Sequence, residues 1–162
     1  MPDLESLLVR LSAAKVRFVV VGGFAAVAHG VSLVTQDLDI CCDFTVANLL
    51  RLQQSLADLH PVHRMTPRRI PLELSKDNAA TFKNLYLDTD LGQLDCLSQI
   101  TGVGGYDQVK RHSIRLKLPW GYCHVLGIEA LIKGKEAMGR PRDRQAARQL
   151  QVIRQRQSPR PS

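Results

Sequence analysis

The sequence predicts an α/β (α+β) fold with a helical C-terminal segment, on three observations. Residues 18–42 read as strand, glycine corner, short helix and second strand. Two further stretches, 81–97 and 113–125, alternate and turn as paired strands do. From 127 onward the apolar residues recur at helical spacing.

Taken in order, Leu4, Leu7, Leu8 and Leu11 recur at helical spacing, so residues 3–14 form an opening amphipathic helix. Residues 17–21, carrying Phe18-Val19-Val20-Val21, form the first strand. Gly22-Gly23 turns the corner into a short helix over 23–29, and Gly30 breaks it. Residues 36–42 form the second strand. Asp43 or Thr45 caps a helix over 46–58, whose apolar side is Leu49, Leu50, Leu52, Leu56 and Leu59. Residues 60–80 hold two histidines and three prolines and suit neither periodicity; a short strand near 69–74 and a helical turn near 75–80 are expected. Residues 81–88 and 92–97 form strands around a turn at Asp88-Thr89-Asp90. Gly102 to Gly105 is a loop, and Tyr106–Arg111 a helical turn. Ser113–Lys117 and Tyr122–Val125 are strands around Pro119-Trp120-Gly121. A helix over 127–138 turns Ile128, Leu131 and Ile132 inward. Gly139-Arg140-Pro141 stops it, and a last helix covers 142–154. The domain reading is a single unit over 1–154, with 155–162 a disordered basic tail.

At 162 residues the chain can bury a sizeable core. It has no apolar run approaching a membrane span, and its opening Met1-Pro2-Asp3-Leu4-Glu5 lacks the basic and apolar parts of a signal peptide. A cytoplasmic location is the expectation. The four cysteines, Cys41, Cys42, Cys96 and Cys123, form no Cys-x-x-Cys pair and read as small buried apolar residues. The net charge is +7, and most of the surplus lies past residue 139: Arg140, Arg142, Arg144, Arg148, Arg154, Arg156 and Arg160 against Asp143 alone. Such an end suits a polyanion, nucleic acid first, and equally suits a solvated helix face.

Chemistry concentrates on the second strand. Side chains two apart on a strand share a face about 6.6 Å apart, so Asp37 and Asp39 project together while Leu38 and Ile40 point the other way. Asp95, between Leu94 and Cys96, is a third carboxylate interrupting an apolar strand. If the two strands are neighbours, three carboxylates converge, a set that can hold two divalent ions roughly 3.5–4 Å apart. Magnesium suits such hard oxygen ligands, with manganese as a substitute. Uncompensated carboxylates in apolar strands are costly, which argues against a purely structural trio. Gly22 and Gly23, lacking side chains, let a backbone corner approach a phosphate at a helix start. Lys135 shares a helix face with Ile128, Leu131 and Ile132; a lysine there either snorkels outward or meets an anion.

The pattern Phe18-Val-Val-Val-Gly-Gly23, short helix, Thr35-Gln-Asp-Leu-Asp-Ile40 resembles the nucleotidyltransferase superfamily with the DNA polymerase beta-like fold. The run from Leu131 through Lys135 to Gly139-Arg140-Pro141-Arg142-Asp143 resembles a block in its small bacterial branch, related to abortive-infection and toxin–antitoxin nucleotidyltransferases. The resemblance implies a mixed β-sheet flanked by helices, and transfer of a nucleoside monophosphate from a nucleoside triphosphate to a hydroxyl. The acceptor it implies is an RNA 3′ end, tRNA above all given the arginines, with a protein side chain or small molecule as alternatives. It implies Asp37, Asp39 and Asp95 as catalytic metal ligands, Asp95 also serving as base. Gly22, Gly23, Thr35 and Lys135 become nucleotide-binding residues, and Asp143 and Arg140 lesser members of the site. A toxin role and an antitoxin partner come with the same branch. Many relatives carry serine at the position of Gly23 and arginine at that of Leu33. Two other readings stand beside this one: a catalytically silent nucleotide- or partner-binding module of the same fold, and a basic nucleic-acid-binding protein with few aromatic platforms for single strands.

Overall fold

The structure is a computed structural model, and it describes residues 2–157. A seven-stranded mixed sheet in the order β3-β4-β5-β2-β1-β9-β8 organises the chain. Within it, β1 (Phe18–Val21) is antiparallel to β2 (Asp37–Cys42), the central strand, on one side and parallel to β9 (Gly121–Leu126) on the other. β2 runs parallel to β5 (Gly92–Leu97), which pairs antiparallel with β4 (Asn84–Thr89), and β4 with the edge strand β3 (Val62–His63). β8 (Ser113–Leu118) forms the other edge, antiparallel to β9. A separate ribbon pairs β6 (Gln99–Ile100) with β7 (Gly104–Gly105), inside the segment expected to be only a loop.

The period of two decides how the sheet is used. Leu38, Ile40, Leu85, Leu87, Leu94 and Cys96 occupy one face and are essentially inaccessible to water. They join a single core with Leu7, Leu8 and Leu11 of α1 (Leu4–Ala13) and Leu49, Leu52 and Leu56 of α3 (Val46–Leu56). Asp3 caps α1 through Ser6 N–H, and Thr45, not Asp43, caps α3 through Asn48 N–H. Asp43 instead pairs with Arg17 at 3.3 Å. The buried Asn48 amide closes this corner, accepting from Arg17 N–H and donating to the carbonyls of Arg17 and Asp43.

The remaining helices frame the other face. α2 (Gly22–Ala28) leaves β1 at the glycine corner, and His29 Nε2 lies 2.9 Å from Leu126 O at its far end. α4 (Tyr106–Arg111) follows the ribbon. α5 (Ile128–Met138) ends at Gly139, whose left-handed conformation (φ 69°) closes the helix. Pro141 then opens α6 (Pro141–Gln157), which packs against α5. All four cysteines are buried, and burial pushes the Cys41 thiol up to about 12. No helix among the described residues is long and apolar enough to cross a membrane.

Three expectations fail in detail. No strand forms over 69–74: Pro71 makes one isolated bridge to Val62, and the pairing strand lies earlier, at Val62–His63. The turn near 75–80 is a 3-10 turn at Ala79–Thr81, so β4 starts only at Asn84. The last helix runs to Gln157, so 155–157 are not a disordered tail; residues 158–162 lie outside the described residues.

Candidate active site

Register brings the carboxylates together. Asp39 pairs with Val21 of β1 on one side and with Asp95 of β5 on the other, and Asp95 pairs with Tyr86 of β4. Val21, Asp39, Asp95 and Tyr86 thus form one row across the sheet, on the face opposite Leu38, Ile40 and Leu94. Asp37 lies two residues earlier on β2, beside Gln93. The parallel β2–β5 pairing, which no local pattern announces, is what makes Asp95 a neighbour of Asp39.

Three like charges on one partly buried face need compensation, and they receive it unequally. Arg64, just past β3, grips Asp95: Nη1 donates to Oδ1 and Nη2 to Oδ2 at 3.0 Å. Asp37 and Asp39 have no ion-pair partner among the described residues. Burial, then Asp95 and Asp37, push the Asp39 carboxyl up to about 6, while Lys135 and Arg64 pull the other way.

The glycine corner has a steric duty. Gly22 adopts φ 66°, and a Cβ there would stand 2.3 Å from Asp39 Oδ2. Only a residue without a side chain lets the carboxylate lie over the corner. Gly23 is different: its Cβ would be 3.3 Å from Thr35 Oγ1, a tight contact that a shift of a few tenths of an ångström relieves. The Thr35 hydroxyl donates to Asp37 O at 3.0 Å and so braces the entry to β2. The loop before it is tied to α6, where Gln149 accepts from Ser32 N–H at 3.2 Å.

Lys135 does meet an anion. Its Nζ lies 3.6 Å from Asp143 Oδ1, and its side chain is 18% exposed. Asp143 is 1% exposed and also accepts from Arg140, Nε to Oδ2 at 2.6 Å and Nη2 to Oδ1 at 3.3 Å. Burial alone would raise the Asp143 carboxyl; Arg140, then Lys135, hold it below its ordinary value. One buried carboxylate therefore fixes two cations, more than a helix cap requires. Asp88 and Asp90 are spoken for elsewhere, by Arg69 and His60.

Two cavities meet at these groups. The first, about 330 Å³, is walled by Gly22, Asn84, Tyr86, Thr101, Leu131 and Met138. The second, about 350 Å³, is walled by Gly23, Thr35, Asp37, Arg142 and Gln149. Asp39, Lys135, Arg140 and Asp143 border both. The oxygen donors fit a hard divalent cation: Asp37 and Asp39 are acceptor-only carboxylates, crowded and without a cation of their own. Among the described residues, however, no group of three or more acidic, histidine or cysteine side chains is gathered closely enough to hold a metal ion. Each site residue expected from the sequence borders this seam or touches a residue that does, and Arg64 and Tyr86 are additions. Arg64 sits in the stretch with the least regular sequence, 31 residues from its partner.

No protein-family profile matches the chain, and no curated protein sequence does. Solved structures do. The lincosamide antibiotic adenylyltransferase LnuA, lincomycin-bound, is similar over 93% of this chain and 95% of its own, with 17% identity and a TM-score of 0.61. ANT(2″)-Ia in complex with adenylyl-2″-tobramycin is similar over 94% of this chain and 93% of its own, with 12% identity and a TM-score of 0.54. These likenesses show a shared fold over nearly the full length of each chain.

Proposed function

For a chain with the nucleotidyltransferase fold, we propose transfer of a nucleoside monophosphate from a nucleoside triphosphate to an acceptor hydroxyl, with pyrophosphate leaving. The observation that carries this reading is the seam at Asp39. Two carboxylates without an ion-pair partner among the described residues border it together with two cations, Lys135 and Arg140, that a buried Asp143 holds in place. Carboxylates without a cation attract a metal, and fixed cations attract phosphate. Asp37 and Asp39 would hold magnesium, or manganese in its place. When bound, the ion would neutralise phosphate charge and make the attacking hydroxyl more acidic.

The chain's own residues divide the remaining work. The second cavity, with Gly23, Thr35, Lys135 and Arg142 on its walls, takes the triphosphate. Lys135 meets it as a point charge, aimed by Asp143. The first cavity, with Asn84, Tyr86 and Thr101, takes the acceptor, on the side of the sheet where Asp95 stands next to Asp39.

An RNA 3′ end is the acceptor supported by α6. Arg142, Arg148 and Arg156 are outside the ion pairs that occupy Arg140 and Arg154, and Arg142 borders the second cavity. Phosphate contacts along such a helix would position a strand without reading its sequence. A small hydroxyl compound is the second reading. The first cavity is near the lower size limit of small-molecule sites, and the two solved neighbours carry antibiotic names or ligands.

The test is incubation with each of the four labelled nucleoside triphosphates, magnesium, and either total RNA or a panel of small polyols and aminoglycosides. Label should move with wild type and not with the Asp37→Ala/Asp39→Ala double variant. Transfer to RNA that falls in the Arg142→Ala/Arg148→Ala/Arg156→Ala variant supports RNA. Transfer only to small compounds, indifferent to those arginines, supports the second reading. No transfer to anything, or equal transfer by the double variant, overturns both. Nucleotide binding indifferent to magnesium would point to a silent binding module.

A further inference from the structure

We propose that Arg64 is the resident counter-ion of Asp95. It is a tethered cation that keeps the third carboxylate from a divalent ion, so that the resting chain binds metal through Asp37 and Asp39 alone. The inference rests on the nucleotidyl-transfer reading of the site and adds a control element to it.

The fork takes both Asp95 oxygens, since each nitrogen of the Arg64 guanidinium terminus meets a different one. Bidentate pairing of this kind is the strongest form of guanidinium–carboxylate contact. Position is imposed from two further directions. The Arg64 backbone N–H donates to Tyr86 O at 3.0 Å, and the guanidinium lies over the Tyr86 ring, 5.6 Å from its centroid. Tyr86 is the register partner of Asp95, so one residue of β4 aims the cation at its target. Both side chains are largely shielded, at 20% and 14% exposure. This pairing is therefore more constrained than a solvated surface bridge.

The contrast within the row is the argument. Asp39 and Asp95 are adjacent in register, yet only Asp95 has a cation of its own. Guanidinium keeps its proton at any pH the fold tolerates, so raising the pH does not release its partner. Competition does: a second divalent cation at the carboxylate, or a phosphate drawing Arg64 away. The tether permits this because Arg64 follows β3, a two-residue strand at the sheet edge, and Met65 beside it is exposed.

The experiment is a manganese titration of the full chain, read by the electron paramagnetic resonance signal of free Mn²⁺, on wild type, Arg64→Gln, Arg64→Lys, Arg64→Gln/Asp95→Asn and Asp37→Asn/Asp39→Asn. Wild type should bind a single ion, lost in Asp37→Asn/Asp39→Asn. Arg64→Gln should bind a second ion, roughly tenfold or more tighter than any second event in wild type. Arg64→Gln/Asp95→Asn should return to the single ion. Thermal melts check folding. If Arg64→Gln does not fold, Arg64→Lys decides, because it keeps the charge and loses the fork: a weaker second ion supports the proposal, and wild-type binding overturns it. Wild-type stoichiometry and affinity in a folded Arg64→Gln overturn the proposal alone. A wild type that binds no manganese, like Asp37→Asn/Asp39→Asn, overturns the metal reading of the site as well.

Discussion

Replacing Gly22 with alanine should damage the protein far more than replacing Gly23, although both glycines belong to the same corner. At Gly22 the backbone is left-handed, φ 66°. Placing a Cβ residue there costs ~1–2 kcal/mol. The new methyl would also stand 2.3 Å from Asp39 Oδ2 and 3.0 Å from Asp39 Cβ. Asp39 cannot retreat, because β2 is bonded to β1 and β5 on its two sides. Its side chain must rotate away from its rotamer, adding ~0.5–1.5 kcal/mol. The sum is a loss of ~1.5–3.5 kcal/mol, together with a displaced Asp39 carboxylate. Gly23 has no positive φ, and its Cβ would meet Thr35 Oγ1 at 3.3 Å. A shift of a few tenths of an ångström relieves that, and alanine in a helix gains ~0.5–1 kcal/mol over glycine, so the net change should stay within ~1 kcal/mol of zero. The assay is urea unfolding in metal-free buffer, comparing midpoints at unchanged slope, beside nucleotidyl transfer. Equal midpoints for the two variants, or transfer retained by Gly22→Ala, would refute the steric role assigned to Gly22.

Asp39→Asn should stabilise the metal-free chain at pH 8. The wild-type carboxyl is raised from 3.8 to about 6, so its penalty is absent below pH 3.8 and grows as pH rises through about 6. The expected gain is ~1–3 kcal/mol at pH 8 and nothing near pH 3.5, read from urea midpoints. Added magnesium should raise the wild-type midpoint at pH 8 and leave that of Asp39→Asn unmoved. Asp143→Ala strips Lys135 and Arg140 of a counter-ion that is 1% exposed, and should lose ~2–4 kcal/mol, below the full cost of breaking a buried pair because Arg140 reaches water. Calorimetry should show weaker nucleotide binding in the same variant. Gly102→Ala should cost ~1–3 kcal/mol in thermal unfolding, because φ is 82° and its Cβ would lie 2.9 Å from Ala137 Cβ and 3.2 Å from Lys133 O.

The parts of the site that periodicity controls were legible in the sequence. Leu38, Ile40, Leu94 and Cys96 are fully buried, and that alternation turns Asp37, Asp39 and Asp95 to the other face. Lys135 was legible for the corresponding helical reason: Leu131 and Ile132 go inward, and the lysine one turn later follows them. Residues 60–80 were not legible, because β3 is set by β4 and not by its own pattern. Val62 and His63 pair with Asp88 and Leu87, while the prolines interrupt any local periodicity. Nothing in that stretch's own sequence singles out Arg64.

The basic surplus as a whole also divides in the structure. The charge of +7 counts cations without asking which are already matched. Arg140 and Lys135 are taken by Asp143, Arg64 by Asp95, and Arg154 by Glu129, while Arg144 donates to Gly139 O. On α6, Ala146, Ala147 and Leu150, spaced one turn apart, bury one side of the helix. The helix is thus basic on the side away from the core and anchored on the other. Inside the site the matching runs against the carboxylates. Three cations are held by Asp95 and Asp143, and among the described residues Asp37 and Asp39 are left without an ion-pair partner. Under the proposed function, the pair of aspartates that the protein has not neutralised itself is where a divalent cation would sit, since its charge and ligand preference suit them.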